Sequence, residues 1–372
     1  MRVALVHDWL TGMRGGEKVL LALARLFPEA PIFTLVHLRG SVAAELEARE
    51  IHTTFVQRLP GVETRYRQYL PLFPAAAATL DVRAFDLVVS SSHCVAKAVV
   101  TRPGAVHVCY CHTPMRYVWD RYDDYFGPGR LRGLARFVVP FAAARLRAWD
   151  VATSPRVHRF AANSAFVGGR IRRFYGRDSE VIPPPVDVDF FTPGPEQPGR
   201  FDLVVAALAP YKRLDLVLEA YRGTGRPVTL VGSGPEEENL RRQAPSEVTF
   251  AGRVTDERLR ELYRSCRALL MPGVEDFGIA PLEAMACGRP AVVYGEGGGL
   301  ETVIPGRTGL VFSEPTAASL RAAVDRLEAV GFNRATLRGQ AEAHGPAVFA
   351  ARFRSFVLRT LAEHQVETNP FE

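Results

Sequence analysis

Two carboxylates, Glu275 and Glu283, bracket the run Asp276-Phe277-Gly278-Ile279-Ala280-Pro281-Leu282. Glu275 falls before the start of a helix and Glu283 about one turn inside it. A helix N-terminus presents unpaired N–H groups and the positive end of a dipole, which suits a diphosphate. Gly278 lets backbone approach a ligand closely. Pro281 falls in the first helical turn, where its missing N–H costs nothing. A carboxylate on each side of the phosphates can accept from hydroxyls. That arrangement fits a sugar nucleotide: ribose on one side, sugar on the other.

Further chemistry sits at other strand ends. Lys212, in Ala209-Pro210-Tyr211-Lys212-Arg213-Leu214-Asp215, follows a strand and starts a helix. A cation there can neutralise a diphosphate as it leaves, most effectively where water is excluded. Arg213 is a second charge beside it, and Asp215 reads as a helix-start partner. His112 closes the run Val108-Cys109-Tyr110-Cys111, at the end of a strand where ligands sit in such sheets. His7-Asp8 ends the first strand, either lining an acceptor pocket or capping backbone. Trp119, Tyr122, Tyr125 and Phe126 either stack on a sugar or form a core patch. Gly232-Ser233-Gly234 and Gly295-Glu296-Gly297-Gly298-Gly299 allow close backbone approach, to a ligand or to neighbouring chain; Gly-x-Gly alone is a weak signal. No Asp-x-Asp pair stands in a suitable place and no His/Cys cluster has zinc spacing. The expectation is metal-independent chemistry with no cofactor, the sugar nucleotide being a substrate.

The Glu275–Glu283 run resembles the Glu-x7-Glu signature of retaining glycosyltransferases of family 4, which have the GT-B fold. The Lys212, Gly232, His112 and Gly15-Gly16 stretches resemble the family in order and spacing, so the likeness spreads over most of the chain. It is nearest to bacterial mannosyltransferases of surface-polysaccharide assembly. The resemblance implies that Glu283 accepts from both ribose hydroxyls. It also implies that Glu275 contacts the transferred sugar, where a carboxylate stabilises positive charge at the anomeric carbon. Backbone at Phe277, Gly278, Ile279 and Ala280 is expected to donate to sugar and phosphate, and Val254 backbone to meet the base. Gly15 and Gly16 amides are expected at the donor phosphate, Gly232 near the nucleotide and His112 on the sugar. The family usually has an Arg five residues before the lysine. Here that residue is Ala207, which leaves Arg213 or another basic residue to complete the clamp.

The activity so implied is retaining transfer of a hexose, mannose from GDP-mannose first and a UDP-sugar second. The implied acceptor is lipid-linked or a surface polysaccharide. Two alternatives remain: a sugar-nucleotide epimerase, and a degenerate partner subunit that binds the sugar nucleotide without turnover. Replacing Glu283 by Ala is expected to abolish ligand stabilisation and to leave the melting temperature of the free protein nearly unchanged.

The elements that must position these residues alternate along 372 residues, enough for two domains. Apolar β-branched runs at 3–7, 31–36, 86–91 and 105–111 suit a buried parallel sheet. The turn Gly12-Met13-Arg14-Gly15-Gly16 leads into a helix over 17–27. Helices are expected over 130–149, with Leu131, Leu134, Phe137, Val138, Phe141 and Leu146 apolar, and over 165–175 after a strand at 159–163. Prolines at 183–185 and 193–198 mark a linker. A second alternation follows: strands at 201–206, 228–231, 248–251 and 268–271, helices over 213–221, 236–243 and 256–266, and, after the loop and helix that carry Glu275 and Glu283, a strand starting in Arg289-Pro290-Ala291-Val292-Val293. The fold class is α/β, two Rossmann-like doubly wound domains facing a cleft. The domains are residues 1–185, binding acceptor, and 186–348, binding donor. By the resemblance, a last helix at about 349–366 crosses back to the first.

Hydrophobic content is 47% and charged content 23%, with no long uncharged apolar run, so no membrane span is expected. The first residues are too short and soon too polar for a signal peptide. Five cysteines without a Cys-x-x-Cys pair read as reduced thiols of a cytoplasmic protein. The net charge of +6 is local: thirteen arginines against four aspartates lie between Arg116 and Arg177, so the rest is net negative. Such a segment can attract an anionic inner-membrane surface or a lipid diphosphate. Nucleic acid is not an expected partner.

Overall fold

The apolar runs become two parallel sheets in a computed structural model that describes residues 1–127, 131, 133, 135–194, 197, 199–366 and 369–371. Arg130, Arg132 and Leu134, three linker residues (195, 196, 198) and tail residues 367, 368 and 372 lie outside the described residues. The chain divides into two units, Met1–Pro185 with Phe349–Glu372, and Val186–Val348.

The first unit's sheet contains β1 (Val3–His7), β2 (Ile32–Thr34), β3 (Ile51–Thr53), β4 (Leu87–Ser92), β5 (Val106–Cys111), β6 (Arg159–Ala162) and β7 (Ser179–Val181). Their order is β3-β2-β1-β4-β5-β6-β7. The second holds β8 (Asp202–Val205), β9 (Val228–Val231), β10 (Val248–Gly252), β11 (Leu269–Met271), β12 (Ala291–Tyr294) and β13 (Gly309–Phe312), ordered β10-β9-β8-β11-β12-β13. All pairings are parallel. Each sheet reverses direction once, between β1 and β4 and between β8 and β11. Loops at the C-terminal strand ends part at such a reversal and leave a crevice.

Alternation along the strands supplies cores on both sheet faces. In the second unit Leu203, Leu269 and Ala291 join one core, while Val204, Leu270 and Val292 join the other. In the first, Leu5, Leu87 and Val89 pack with Val19, Leu20 and Leu23 of the Gly15–Leu26 helix. Phe349, Phe353 and Phe356 of the final helix, Pro346–Glu363, complete that same core. Burying each phenylalanine contributes about 1.5–3 kcal/mol, which ties this helix to the first unit.

The sequence reading omits β3, β7 and β13. β3 and β7 are three-residue edge strands with partly exposed side chains, so neither carries an apolar run. The helix expected over 130–149 is described from Ala135 to Thr153. Leu146 is buried, but Phe137, Val138 and Phe141 are 63%, 52% and 65% exposed. With Ala144, Ala148 and Val151, also exposed, Phe137 and Phe141 form an outward apolar stripe at helical spacing. The Arg136 guanidinium lies 4.6 Å from the Phe137 ring centroid and that of Arg145 5.8 Å from Phe141. The five cysteines are free and buried. No helix among the described residues is long and apolar enough to cross a membrane.

Candidate functional site

At the reversal of the second sheet, the loops after β8 and β11 bring Lys212 and Glu275 together. The Lys212 ammonium donates to Glu275 Oε1. Their side chains are 14% and 17% exposed, so the pair is sheltered yet reachable. Lys212 ends the turn Pro210–Lys212, and its ammonium lies 5.1 Å from the Tyr211 ring centroid. Arg213 follows with φ 52° and ψ 42°. A left-handed non-glycine residue costs on the order of 1–2 kcal/mol, so the turn that aims Lys212 is strained. The Arg213 guanidinium is engaged by Asp215 at 3.0–3.2 Å, which raises its pKa further. Ala207 is exposed on the same loop.

The helix Ile279–Ala286 begins after Gly278, whose φ is 99°. A Cβ there would lie 3.1 Å from Met271 Cε, so glycine satisfies both backbone and space. Pro281 stands in the first turn as expected. Phe277 has its side chain in the core, 5.9 Å from the His344 ring, and can offer a ligand only backbone. Ile279 and Ala280 are part-buried beside it, and Val254 is half-buried after β10. Glu283 is 5% exposed and accepts from the Tyr263 hydroxyl at 2.8 Å. Tyr263 is fully buried, and burial beside this carboxylate pushes its pKa well up. Removing Glu283 would therefore strand a buried hydroxyl, so the expectation of an unchanged melting temperature for Glu283→Ala does not stand.

The glycine-rich loops press against one another. A Cβ on Gly232 would lie 1.9 Å from Ala206 O, and on Gly234 2.4 Å from Leu208 O. One on Gly273 would lie 2.6 Å from Tyr211 O. For Gly297 and Gly298 the distances are 2.7 Å to Glu275 O and 2.3 Å to Asp276 O. The Gly298 N–H donates to Glu275 O at 2.8 Å. Close approach at Gly297 and Gly298 is thus to neighbouring chain, the loop that carries Glu275. A cavity of about 660 Å³ opens at the N-terminal ends of this sheet's strands, lined in part by Arg200, Arg226 and Arg267. Two of these arginines are engaged by carboxylates, Arg226 by Asp325 and Arg267 by Asp202 and Glu328. It contains none of the predicted site residues.

The first unit has its own cluster at the corresponding reversal. His7 Nδ1 lies 3.1 Å from Ser91 Oγ, which lies 2.8 Å from His112 Nε2. Gly15 and Gly16 open the Gly15–Leu26 helix, and a Cβ on Gly16 would lie 3.5 Å from His7 Cε1 and 3.7 Å from His112 Nε2. Burial lowers the His7 pKa to about 4 and holds His112 well below its usual value, helped by the neighbouring histidines. Asp8 accepts from the N–H groups of His93, Cys94, Val95 and Ala96 at 2.7–3.0 Å. Burial pushes its pKa up. Four N–H donors spread over two oxygens nevertheless favour the ionised form, because a proton on either oxygen would face a donor. Asp8 is therefore a backbone cap. Trp119 stacks on Phe174 and donates to Asp150 at 2.9 Å, and so belongs to the packed interior. Ser91 and Tyr263 escaped the sequence reading. Ser91 was detectable only through its pairing with His7 on adjacent strands; Tyr263 had no local signal.

Two protein-family models match this chain. The model of Glycosyltransferase Family 4 matches residues 13–190, and that of Glycosyl transferases group 1 matches 187–343. The chain belongs to glycosyltransferase family 4. A D-rhamnosyltransferase of Pseudomonas aeruginosa, WbpZ, is 34% identical over 40% of this chain and 42% of its own length. A GDP-mannose-dependent phosphatidylinositol monomannoside mannosyltransferase of Mycolicibacterium smegmatis is 31% identical over 40% of this chain and 46% of its own. The chain thus spans less than half the length of these curated relatives. Among solved structures, HepE of Anabaena in complex with UDP-glucose aligns with TM-score 0.71 at 16% identity, over 96% of this chain and 100% of its own. The outer-core galactosyltransferase WaaB aligns with TM-score 0.67 at 16% identity, over 97% and 100%. These likenesses establish the GT-B fold, two Rossmann-like parallel-sheet domains.

Proposed function

We propose that this family 4 member is a retaining hexosyltransferase, using GDP-mannose as donor and a lipid-linked or surface-polysaccharide acceptor. The Lys212–Glu275 pair beside the N-terminus of the Glu283 helix carries this reading. An unpaired lysine would suit any anion. A lysine held by a carboxylate yields to a ligand that brings both a diphosphate for the ammonium and a hydroxyl-bearing ring for the carboxylate.

In the reaction so inferred, the acceptor hydroxyl oxygen bonds to the anomeric carbon as the bond to the diphosphate breaks. The acceptor proton passes to a phosphate oxygen on the same face. Lys212 and the helix N–H groups stabilise the departing diphosphate. Glu275 and His112 hold the sugar, and Glu283 holds the ribose. No metal or cofactor is assigned a part. The mannosyltransferases among the relatives support mannose. The UDP-glucose complex of a structural neighbour supports a UDP-sugar as second reading. Ala207, together with engagement of Arg213 by Asp215, supports a subunit that binds without turnover.

Thermal denaturation with GDP-mannose, UDP-glucose and ADP-glucose separates these readings. A ligand at 100 times its dissociation constant stabilises by about 2.7 kcal/mol. GDP-mannose should give the largest shift, and a larger UDP-glucose shift transfers the proposal to the second donor. No shift with any of them refutes it. Stabilisation with no hydrolysis or transfer points to the binding subunit.

The acceptor side of the proposal includes an anionic bilayer at the inner membrane face. The outward stripe of Phe137 and Phe141, with arginines on both rings, has the composition of a helix lying in a headgroup layer. Flotation with phosphatidylglycerol vesicles should be lost when both phenylalanines become Ser, with melting unchanged. Equal flotation of wild type and variant refutes the contact.

A further inference from the structure

The Ser91 hydroxyl stands between two neutral imidazoles and can point its proton at only one of them. In one arrangement His112 Nε2–H donates to Ser91, and Ser91 donates to His7 Nδ1. His7 then carries its proton on Nε2. In the other, His7 Nδ1–H donates to Ser91 and Ser91 donates to His112 Nε2, so His112 carries its proton on Nδ1. The distances of 3.1 and 2.8 Å serve either.

The far nitrogen of His7 decides between them. His7 is fully buried, and its Nε2 has no hydrogen-bond partner among the described residues. A Cβ on Gly16 would lie 3.9 Å from that atom, so Nε2 abuts the first turn of the Gly15–Leu26 helix. That turn is the positive end of the helix, with backbone N–H groups unpaired within it. A buried N–H there would lack an acceptor and face like polarity. A lone pair there faces opposite polarity, and under-satisfied acceptors are the commoner compromise in protein interiors. We propose that His7, acting through Ser91, holds His112 in its Nδ1–H form, so that the outward nitrogen of His112 is a hydrogen-bond donor. His7 is then a positioning residue.

The His112 Nδ1 atom has no hydrogen-bond partner among the described residues, and the residue is partly exposed. As a donor it suits a sugar oxygen; as a bare nitrogen it would suit an O–H. The backbone holds the ring in place: the His112 N–H donates to Ser92 O at 2.9 Å and Asn163 Nδ2 donates to His112 O at 2.9 Å. The tautomer can therefore change without the residue moving. The assignment stands on the first unit alone; its kinetic consequence rests on the proposed contact of His112 with the sugar.

Nitrogen-15 NMR of the histidine-labelled full chain reads the tautomer directly. Wild-type His112 should show a protonated Nδ1 and a bare Nε2. His7→Leu frees Ser91 to accept, and His112 should move to the Nε2–H form. His7→Asn, whose amide N–H can stand in for Nδ1–H, should restore the wild-type pattern. Ser91→Ala, should His7→Leu fail to fold, should give a mixture. A wild-type His112 protonated on Nε2, or one unmoved by both His7→Leu and Ser91→Ala, overturns the proposal. In GDP-mannose hydrolysis, His7→Leu should lower kcat about tenfold, the worth of one hydrogen bond, with KM nearly unchanged and His7→Asn closer to wild type. Kinetics that ignore a proven tautomer change leave the relay standing and refute the sugar contact.

Discussion

The Glu283–Tyr263 bond separates a folding role from a binding role in one residue. Tyr263 is fully buried and donates at 2.8 Å to a carboxylate that is 5% exposed. A hydrogen bond to a charged group contributes about 1.5–3 kcal/mol. A unit of this size loses about 2–4 °C per kcal/mol. Tyr263→Phe should therefore lower the melting temperature by about 3–12 °C while donor stabilisation persists. Glu283→Gln keeps an acceptor for the tyrosine and should melt within a few degrees of wild type. It loses the charge that grips two ribose hydroxyls. If that charge is worth about 2 kcal/mol, the dissociation constant rises about 30-fold. Stabilisation by the same GDP-mannose concentration then drops from about 2.7 to about 0.9 kcal/mol. Differential scanning fluorimetry of wild type, both single variants and the double variant, with and without GDP-mannose, measures both effects in one cycle. An undiminished donor shift in Glu283→Gln refutes the ribose assignment. A melting temperature unchanged in Tyr263→Phe refutes the account of the buried bond.

Three other outcomes follow from the geometry. Lys212→Ala should lower turnover about 10²–10³-fold, and Lys212→Arg should recover little of it, because a planar fork does not replace a point charge; full recovery would refute the leaving-group role. Gly298→Ala places a Cβ 2.3 Å from Asp276 O and 2.4 Å from Phe277 Cα, so it should displace the Glu275 loop, reducing donor affinity and melting temperature together; a neutral result means the loops are not locked. Burial raises the Glu17 pKa to about 7, offset in part by its bond to the Arg14 N–H. The folded state then binds this proton more tightly than the unfolded chain, so its contribution is full below pH 4.5 and is lost as pH rises through about 7. The fall in melting temperature between pH 5 and 8 should be shallower in Glu17→Gln than in wild type; parallel curves would show that Glu17 does not titrate there.

Central strands and the ligand loops were legible because each had its own local signal. Val3–His7 and Val228–Val231 were apolar runs, and the helix Ala165–Tyr175 followed directly on the strand expected at 159–163. Glu275, Lys212 and Glu283 were legible as chemistry, yet their pairing was not. The Lys212–Glu275 contact joins residues 63 positions apart, and only the adjacency of β8 and β11 sets it. Tyr263 fell inside an expected helix with no signal of its own, and its hydroxyl acquires meaning only from Glu283 on the next helix. Phe137 and Phe141 showed the reverse failure: apolar type at helical spacing marks one face without saying what covers it.

Backbone of one loop occupies the space where a neighbour's side chain would begin at Gly232, Gly234, Gly273, Gly297 and Gly298. Such a stack behaves like a keystone arch. No single segment can swing out as a lid without its neighbours, so adjustment to a ligand on this unit falls to side-chain rotation at the rim. New donor preferences would have to arise there too, by exchange of rim residues, because almost any substitution within the arch dislodges the carboxylate it supports.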